Sequence, residues 1–311
     1  MAEQRETVTV DVDGRHLTLS NLAKVLYPEA GFSKGEIIDY YTRIAPILLP
    51  YLADRPLTVK RYPNGVDAQF FFEKNAPRGT PAWVRTVRLP APGSTKNRET
   101  IDYVVAQDLP TVVWLSNLAA LELHVPQWRV PRRARKPRTD LIVFDLDPGP
   151  PATIAQCCEV AVPLRDVLEE NGLRPIAKTS GSKGMQVSAA IEVGDPELPS
   201  KYAHEVAKRL AREQPDLVVS RMSKSLRPGK VFVDWSQNNP AKTTVAPYSL
   251  RAKPTPTVST PLLWDEVERG GHLSFTAAEV LGRIEEHGDL FAAVLDDANR
   301  VRITASMATA E

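Results

Sequence analysis

Apolar residues recur along this chain at two different periods, and each change of period marks an element. Ile37, Ile38, Tyr41 and Ile44 repeat at helical spacing behind Ser33-Lys34-Gly35-Glu36, where a Ser and a Glu three residues apart make a capping-box signature. Ser20-Asn21 stands ahead of an earlier apolar pattern and supplies a second start signal, so two helices are expected between residues 20 and 55. Leu57 to Tyr62 has the composition of a strand, ends at Pro63-Asn64-Gly65 and is followed by Phe70 to Phe72, which predicts a hairpin. Helices and strands alternate from there to about residue 130.

A Pro- and Arg-rich stretch, Val130 to Thr139, breaks the periodicity and predicts a junction between an N-terminal α/β half, residues 1–130, and a second half, residues 140–311, the two forming one domain. Beyond it the pattern predicts strands at Leu141–Asp147, Arg174–Thr179, Met185–Val193 and Lys230–Trp235. Helices are predicted at Ala152–Glu170, closed by Asn171-Gly172, and at Ser200–Glu213, with a helical C-terminal segment. The order β-α-β-β-α-β is the ferredoxin-like, or RRM-like, plan, so the fold class is mixed α+β. In that plan the first and last strands are neighbours.

Asp145 and Asp147 stand two residues apart near the end of an apolar strand, so period-2 alternation puts both on one face. The topology sets Asp234, on the last strand, beside them. Close carboxylates repel one another unless a divalent cation neutralises them, and acids so placed point to a metal site; an Asp pair capping the turn at Pro148-Gly149 is the other reading. Three acids suit nucleotidyl transfer, in which metal ions polarise a 3′ hydroxyl and stabilise the departing pyrophosphate. The Gly-rich stretch Thr179 to Gly184 offers backbone N–H groups, Ser180 and Lys183 to a phosphate. It lacks the Walker spacing, and an ordinary hairpin turn has the same composition. Arg227 and Lys230 precede the Asp234 strand and add cations. His124 alternates with apolar residues as a structural strand histidine would, and Phe71 and Phe72 suit either core or a base-stacking platform.

Composition narrows this only slightly. The 311 residues are 42% apolar and 25% charged, as in an ordinary globular protein. A formal net charge of +1 means that any affinity for nucleic acid must come from local clusters. Two such clusters are Arg129, Arg132, Arg133, Arg135, Lys136 and Arg138, which is otherwise a solvated loop, and Lys224, Arg227 and Lys230. Cys157 and Cys158 are adjacent on a helical pattern, which suits core packing rather than a disulfide or a metal. The chain shows neither a signal-peptide pattern nor a long apolar run, so a cytoplasmic protein without a membrane segment is expected.

These segments together resemble the polymerase domain of bacterial ligase D, a branch of the archaeo-eukaryotic primase superfamily. The resemblance runs through Ser20 to Pro28, Lys60 to Asp67, Phe71 to Lys74, His124 to Trp128 and Phe144 to Pro148. It continues through Thr179 to Gly184, Lys230 to Asn238 and Ala246 to Arg251, and so covers nearly the whole chain. It implies a primer- and template-dependent polymerase that prefers ribonucleotides, favours Mn²⁺ over Mg²⁺, and fills gaps or extends broken DNA ends in non-homologous end joining. By motif, Asp145, Asp147 and Asp234 become catalytic metal ligands. Lys60, His124, Ser180, Lys183, Lys230 and Arg251 hold the NTP, Phe71 or Phe72 stacks on its base, and Asn21 and Gln237 lie nearby. Lys24 and Lys34 match positions that grip a 5′-phosphate on DNA.

One position departs from the family pattern Ser-Gly-x-Lys-Gly-x-His: its last residue here is Gln186, an amide that can donate to a phosphate oxygen but carries no charge. No ligase motif accompanies the polymerase segments, so a stand-alone polymerase is expected to work with a separate DNA ligase and a Ku-type end-binding protein at the bacterial nucleoid. The alternatives are a catalytically silent module that binds DNA ends, and a metal-dependent phosphohydrolase built on the same acids.

Overall fold

The computed structural model of the protein describes residues 6–91, 99–132 and 137–309. Strands β1 (Thr7–Val12) and β2 (Arg15–Ser20) form a hairpin turning at Asp13-Gly14, both at positive φ, which an Asp-Gly pair suits. Ser20 and Asn21 do not open a helix, contrary to the expectation from their cap-forming side chains. Ser20 ends β2, Asn21 takes φ +53°, and its amide donates to the Glu6 carbonyl. The chain instead forms a short hairpin of β3 (Val25–Tyr27) and β4 (Phe32–Ser33). Pro28 contributes no N–H and would disfavour a helix there.

One helix therefore stands where two were expected, α1 (Lys34–Leu52). Its capping box forms as read from the sequence: Ser33 Oγ accepts from the Glu36 amide at 3.3 Å, and Glu36 accepts from the Ser33 amide at 2.7 Å. The expected hairpin also forms, from β5 (Thr58–Arg61) and β6 (Phe71–Glu73), with Lys60 opposite Phe72. A second hairpin, β7 (Thr86–Pro90) and β8 (Thr100–Val104), leads into α2 (Leu109–Asn117), and β9 (Ala120–Val125) then pairs with β5.

Strands β10 (Trp128–Arg129) and β11 (Arg138–Thr139) pair with each other across the stretch where a junction was expected. Of the basic run there, Arg133, Arg135 and Lys136 lie outside the described residues. Arg129 is no free cation. Its Nε donates to Asp140 at 2.6 Å, while Arg55 donates to the other oxygen of that buried carboxylate at 2.7 Å.

The second half runs β12 (Leu141–Pro148), α3 (Ile154–Glu170), β13 (Ile176–Thr179), β14 (Met185–Glu192), α4 (Leu198–Glu213), β15 (Val218–Val219) and β16 (Val231–Asp234). The sheet order β13-β14-β12-β16 is the expected ferredoxin-like one, with β15 added in parallel beside β16. Ile142, Phe144 and Leu146 pack with Cys157, Leu164 and Ala203 of the two helices, so the odd-numbered residues of β12 face the other way. Cys157 and Cys158 are buried and unpaired in this core.

After β16 the chain returns to the first sheet. Strand β17 (Thr244–Val245) pairs with β9, giving the order β17-β9-β5-β6. Helices α5 (Trp264–Arg269) and α6 (Ala277–His287) follow, and Ala277 and Val280 of α6 share a core with Ile37, Ile44 and Leu48 of α1. Strand β18 (Val301–Arg302) runs parallel to the end of β14. Among the described residues no helix is long and apolar enough to cross a membrane.

Candidate active site

The antiparallel register of the second sheet places Asp145 opposite Asp234 on one side and opposite Gln186 on the other. Asp147 lies two residues along on the same face. One carboxylate oxygen from each of the three acids lies within 4.8 Å of the others. Gln186 Nε2 donates to Asp145 at 3.0 Å, and Gln237 Nε2 donates to Asp234 at 2.7 Å. Asp234 also accepts from the amide and hydroxyl of Ser236, whose hydroxyl in turn receives Lys242 Nζ.

Burial, with the charge of Asp147 beside it, pushes the Asp145 carboxyl up to about 7. Burial and Asp234 push Asp147 in the same direction, with Arg227 and Lys183 opposing. Three converging oxygen donors whose charges oppose one another suit a hard divalent cation. Next in the row beyond Gln186 comes Lys178, wholly buried, donating to the Val245 carbonyl at 3.1 Å and to Ser259 Oγ at 2.7 Å.

Facing the acids is the turn between β13 and β14. Ser180 Oγ accepts from the amides of Ser182 and Gly184 at 3.3 and 3.2 Å, which closes the turn. Its two glycines are demanded by close approach. A Cβ on Gly181, at φ +64°, would stand 2.7 Å from Arg251 Cγ and from the Val258 backbone, and one on Gly184 would stand 2.1 Å from the Leu146 carbonyl oxygen. Arg251 donates to the Ser180 carbonyl and so ties the segment after β17 to this turn.

The first sheet supplies the remaining wall. Lys60 on β5 is registered against Glu122 on β9, and His124, two residues on, is registered against Val245 of β17. A cavity of about 230 Å³ lies between the sheets, lined by Asp145, Asp147, the Ser180–Gly184 turn, His124, Gln186, Gln237 and Arg251. Two acids, Lys183 and Arg251 thus share a single space.

Residues 33–291 match the family model of the LigD primase-polymerase domain. The chain belongs to the LigD primase-polymerase domain family. The multifunctional non-homologous end joining protein LigD of Mycolicibacterium smegmatis is 44% identical over 283 residues, which is 90% of this chain and 36% of that protein. The bifunctional LigD of Bacillus subtilis is 30% identical over 88% of this chain and 43% of its own length. Among solved structures, the polymerase domain of Mycobacterium tuberculosis ligase D in complex with DNA superposes with a TM-score of 0.85 at 41% identity, covering 90% of this chain and 98% of that one. The chain spans about a third of the length of its mycobacterial relatives.

In this primase-polymerase domain half of the residues singled out by motif line the cavity, and the others, Lys60 and Phe72 among them, do not. The alternation of β6 separates the two phenylalanines. Phe72 lies 6.4 Å from the His124 ring with Lys60 Nζ 5.4 Å from its own centroid, whereas Phe71 covers Arg61 on the other face. Both rings are exposed. Lys230 is directed elsewhere, its Nζ donating to the Pro215 carbonyl at 2.6 Å. Asn21 is not in the cavity lining and belongs to a turn with Lys24, whose amide it receives. Lys24 Nζ donates to Asn64, and the buried Lys34 donates to the Ser20 carbonyl at 2.5 Å. Gln186 directs its amide to Asp145, not to an open phosphate position.

Two residues that sequence reasoning passed over also stand at the site. Glu122 is buried among Lys60, His124 and Arg251. Burial lowers the ammonium of Lys253, and the charges of Arg251, Lys183 and Lys60 add to this while Glu122 opposes. Glu122 had a signal, since it shares a strand face with His124 at a spacing of two.

Proposed function

We propose that this chain is a metal-dependent nucleotidyltransferase that extends a primer on a template, preferring ribonucleotides, at gaps and broken ends of DNA during non-homologous end joining. The observation that carries the reading is a cluster of three carboxylates, two of which line a cavity together with Lys183, Arg251 and His124. Asp145, Asp147 and Asp234 would hold Mn²⁺ or Mg²⁺, which supplies polarisation of the primer hydroxyl and charge for the departing pyrophosphate. Lys60, His124, Lys183 and Arg251, with the hydroxyl of Ser180, receive the triphosphate. Phe72 offers an exposed ring to the base on the same strand face as Lys60. Gln186 and Gln237 fix the rotamers of Asp145 and Asp234 by donating to them.

The pair Lys24 and Lys34 serves a 5′-phosphate at the far side of a gap. Lys34 stands at the start of α1 with its ammonium on the Ser20 carbonyl, and Lys24 Nζ lies at Asn64. The relatives are named as multifunctional or bifunctional non-homologous end joining proteins, which supports a role in end joining; a separate ligase and a Ku-type protein in the bacterial cytoplasm complete the proposal.

The test is extension of a labelled primer on a gapped template with NTPs or dNTPs and Mn²⁺ or Mg²⁺, comparing wild type with Asp145→Ala/Asp147→Ala. Template-directed addition that disappears in the variant supports the reading. DNA binding without addition under either metal overturns it in favour of a silent end-binding module, and phosphate release without addition indicates a hydrolase. Lys24→Ala should remove any preference for a 5′-phosphorylated gap.

A further inference from the structure

An anion-binding site is an unexpected place for a buried carboxylate, yet Glu122 is only 2% exposed and lies at the centre of the cation group. His124 Nε2 lies 2.9 Å from its Oε2, and Arg251 Nε lies 3.4 Å from the same oxygen. Lys60 Nζ at 3.4 Å and the Ala252 amide at 3.2 Å meet its Oε1. These partners come from three places in the chain: β5, β9 and the segment after β17. A carboxylate with three hydrogen-bond donors and a guanidinium beside it remains ionised, and its carboxyl is held down at about 2, burial opposing and His124, Arg251 and Lys60 favouring the anion.

We infer that Glu122 is a positioning residue, which holds Lys60, His124 and Arg251 in the arrangement that receives the triphosphate and contributes no contact to the nucleotide itself. The inference rests on the triphosphate reading above. Without a carboxylate between them, three cationic or ionisable groups brought together in a partly buried space would repel and splay. With it, their donors are aimed before the ligand arrives. By accepting from His124 Nε2, Glu122 leaves Nδ1 as the other ring nitrogen, which donates to a phosphate oxygen only when the ring is protonated, a form that burial opposes and Glu122 favours. By accepting from the Ala252 amide, it also anchors the segment that carries Arg251.

The sign of the effect separates positioning from bulk electrostatics. Removing a negative charge from an anion site would tighten NTP binding if charge alone mattered, whereas loss of positioning weakens it. In steady-state primer extension, Glu122→Gln should raise KM for NTP about tenfold or more while kcat changes less than about threefold, the size expected when charge-assisted hydrogen bonds are mis-set. Glu122→Asp keeps the charge but withdraws it by one methylene, and it should raise KM by a smaller factor. In a His124→Ala/Arg251→Ala background, Glu122→Gln should add less than about twofold, because the groups it positions are gone.

Thermal unfolding and affinity for gapped DNA, measured on every variant, report folding separately from nucleotide binding. If Glu122→Gln fails to fold, Glu122→Asp decides the question by the same KM comparison. An unchanged or lowered KM in a folded Glu122 variant, with KM raised by His124→Ala or Arg251→Ala, overturns the positioning role and leaves the triphosphate reading standing. Unchanged KM in His124→Ala and Arg251→Ala overturns both.

Discussion

Three carboxylates crowded within 4.8 Å should make the metal-free protein less stable than it would be without them. Asp145→Asn tests this with little change of shape, because the amide oxygen can still accept from Gln186. The Asp145 carboxyl is raised from 3.8 in the unfolded chain to about 7 in the fold, so the native state binds the proton more tightly. Stability from that proton is fully present below about pH 4 and is lost as pH rises through 7. At about 1.4 kcal/mol per tenfold change in proton affinity, the rise corresponds to about 4 kcal/mol, an upper bound because Asp145 retains partial contact with solvent.

The assay is thermal unfolding in EDTA at pH 5 and pH 8.5. Asp145→Asn should melt roughly 5 °C higher than wild type at pH 8.5 and exceed it by only about a third as much at pH 5. Mn²⁺ should then raise the wild-type melting temperature at pH 8.5 and raise that of the variant much less. Primer extension by the variant should be lost. A variant that melts lower than wild type in EDTA at pH 8.5 would refute the claim that burial and mutual repulsion penalise the ionised cluster.

Phe72→Ala should raise KM for NTP several-fold, stacking on a base being worth about 1–3 kcal/mol, while Phe71→Ala should leave KM near wild type; equal effects in steady-state extension would remove the assignment by strand face. Asp140→Ala leaves Arg55 and Arg129 without their shared buried carboxylate and should cost about 3 kcal/mol or more in denaturant unfolding. Gly184→Ala drives a Cβ to 2.1 Å from the Leu146 carbonyl and should either lower the melting temperature by several degrees or displace the turn enough to abolish extension; wild-type values of both would contradict the close packing of the turn on β12.

The capping box of α1, the hairpin of β5 and β6 and the β-α-β-β-α-β order were legible in the sequence because each is encoded by neighbours: a three-residue spacing, an Asn-Gly turn, a change of period. The two-residue interval between Asp145 and Asp147, combined with the strand order, was enough to set them beside Asp234. Tertiary structure decided what depends on residues far apart in the chain. Ser20-Asn21 has a helix-cap composition, but its backbone amides donate to the Asn117 side chain and the Glu6 carbonyl, which hold it in an extended hairpin end and a turn. Phe71 and Phe72 are equivalent by type, and only pairing of β6 with β5 shows that Phe72 shares a face with Lys60. Lys230 and Gln186 are a cation and an amide in any reading of the sequence, yet the Pro215 carbonyl and the Asp145 carboxylate determine where they point. Glu122 acquires its role only when Lys60 and Arg251, from segments 62 and 129 residues away, are brought to its carboxylate, since charge and hydrogen bonding act through space and not along the chain.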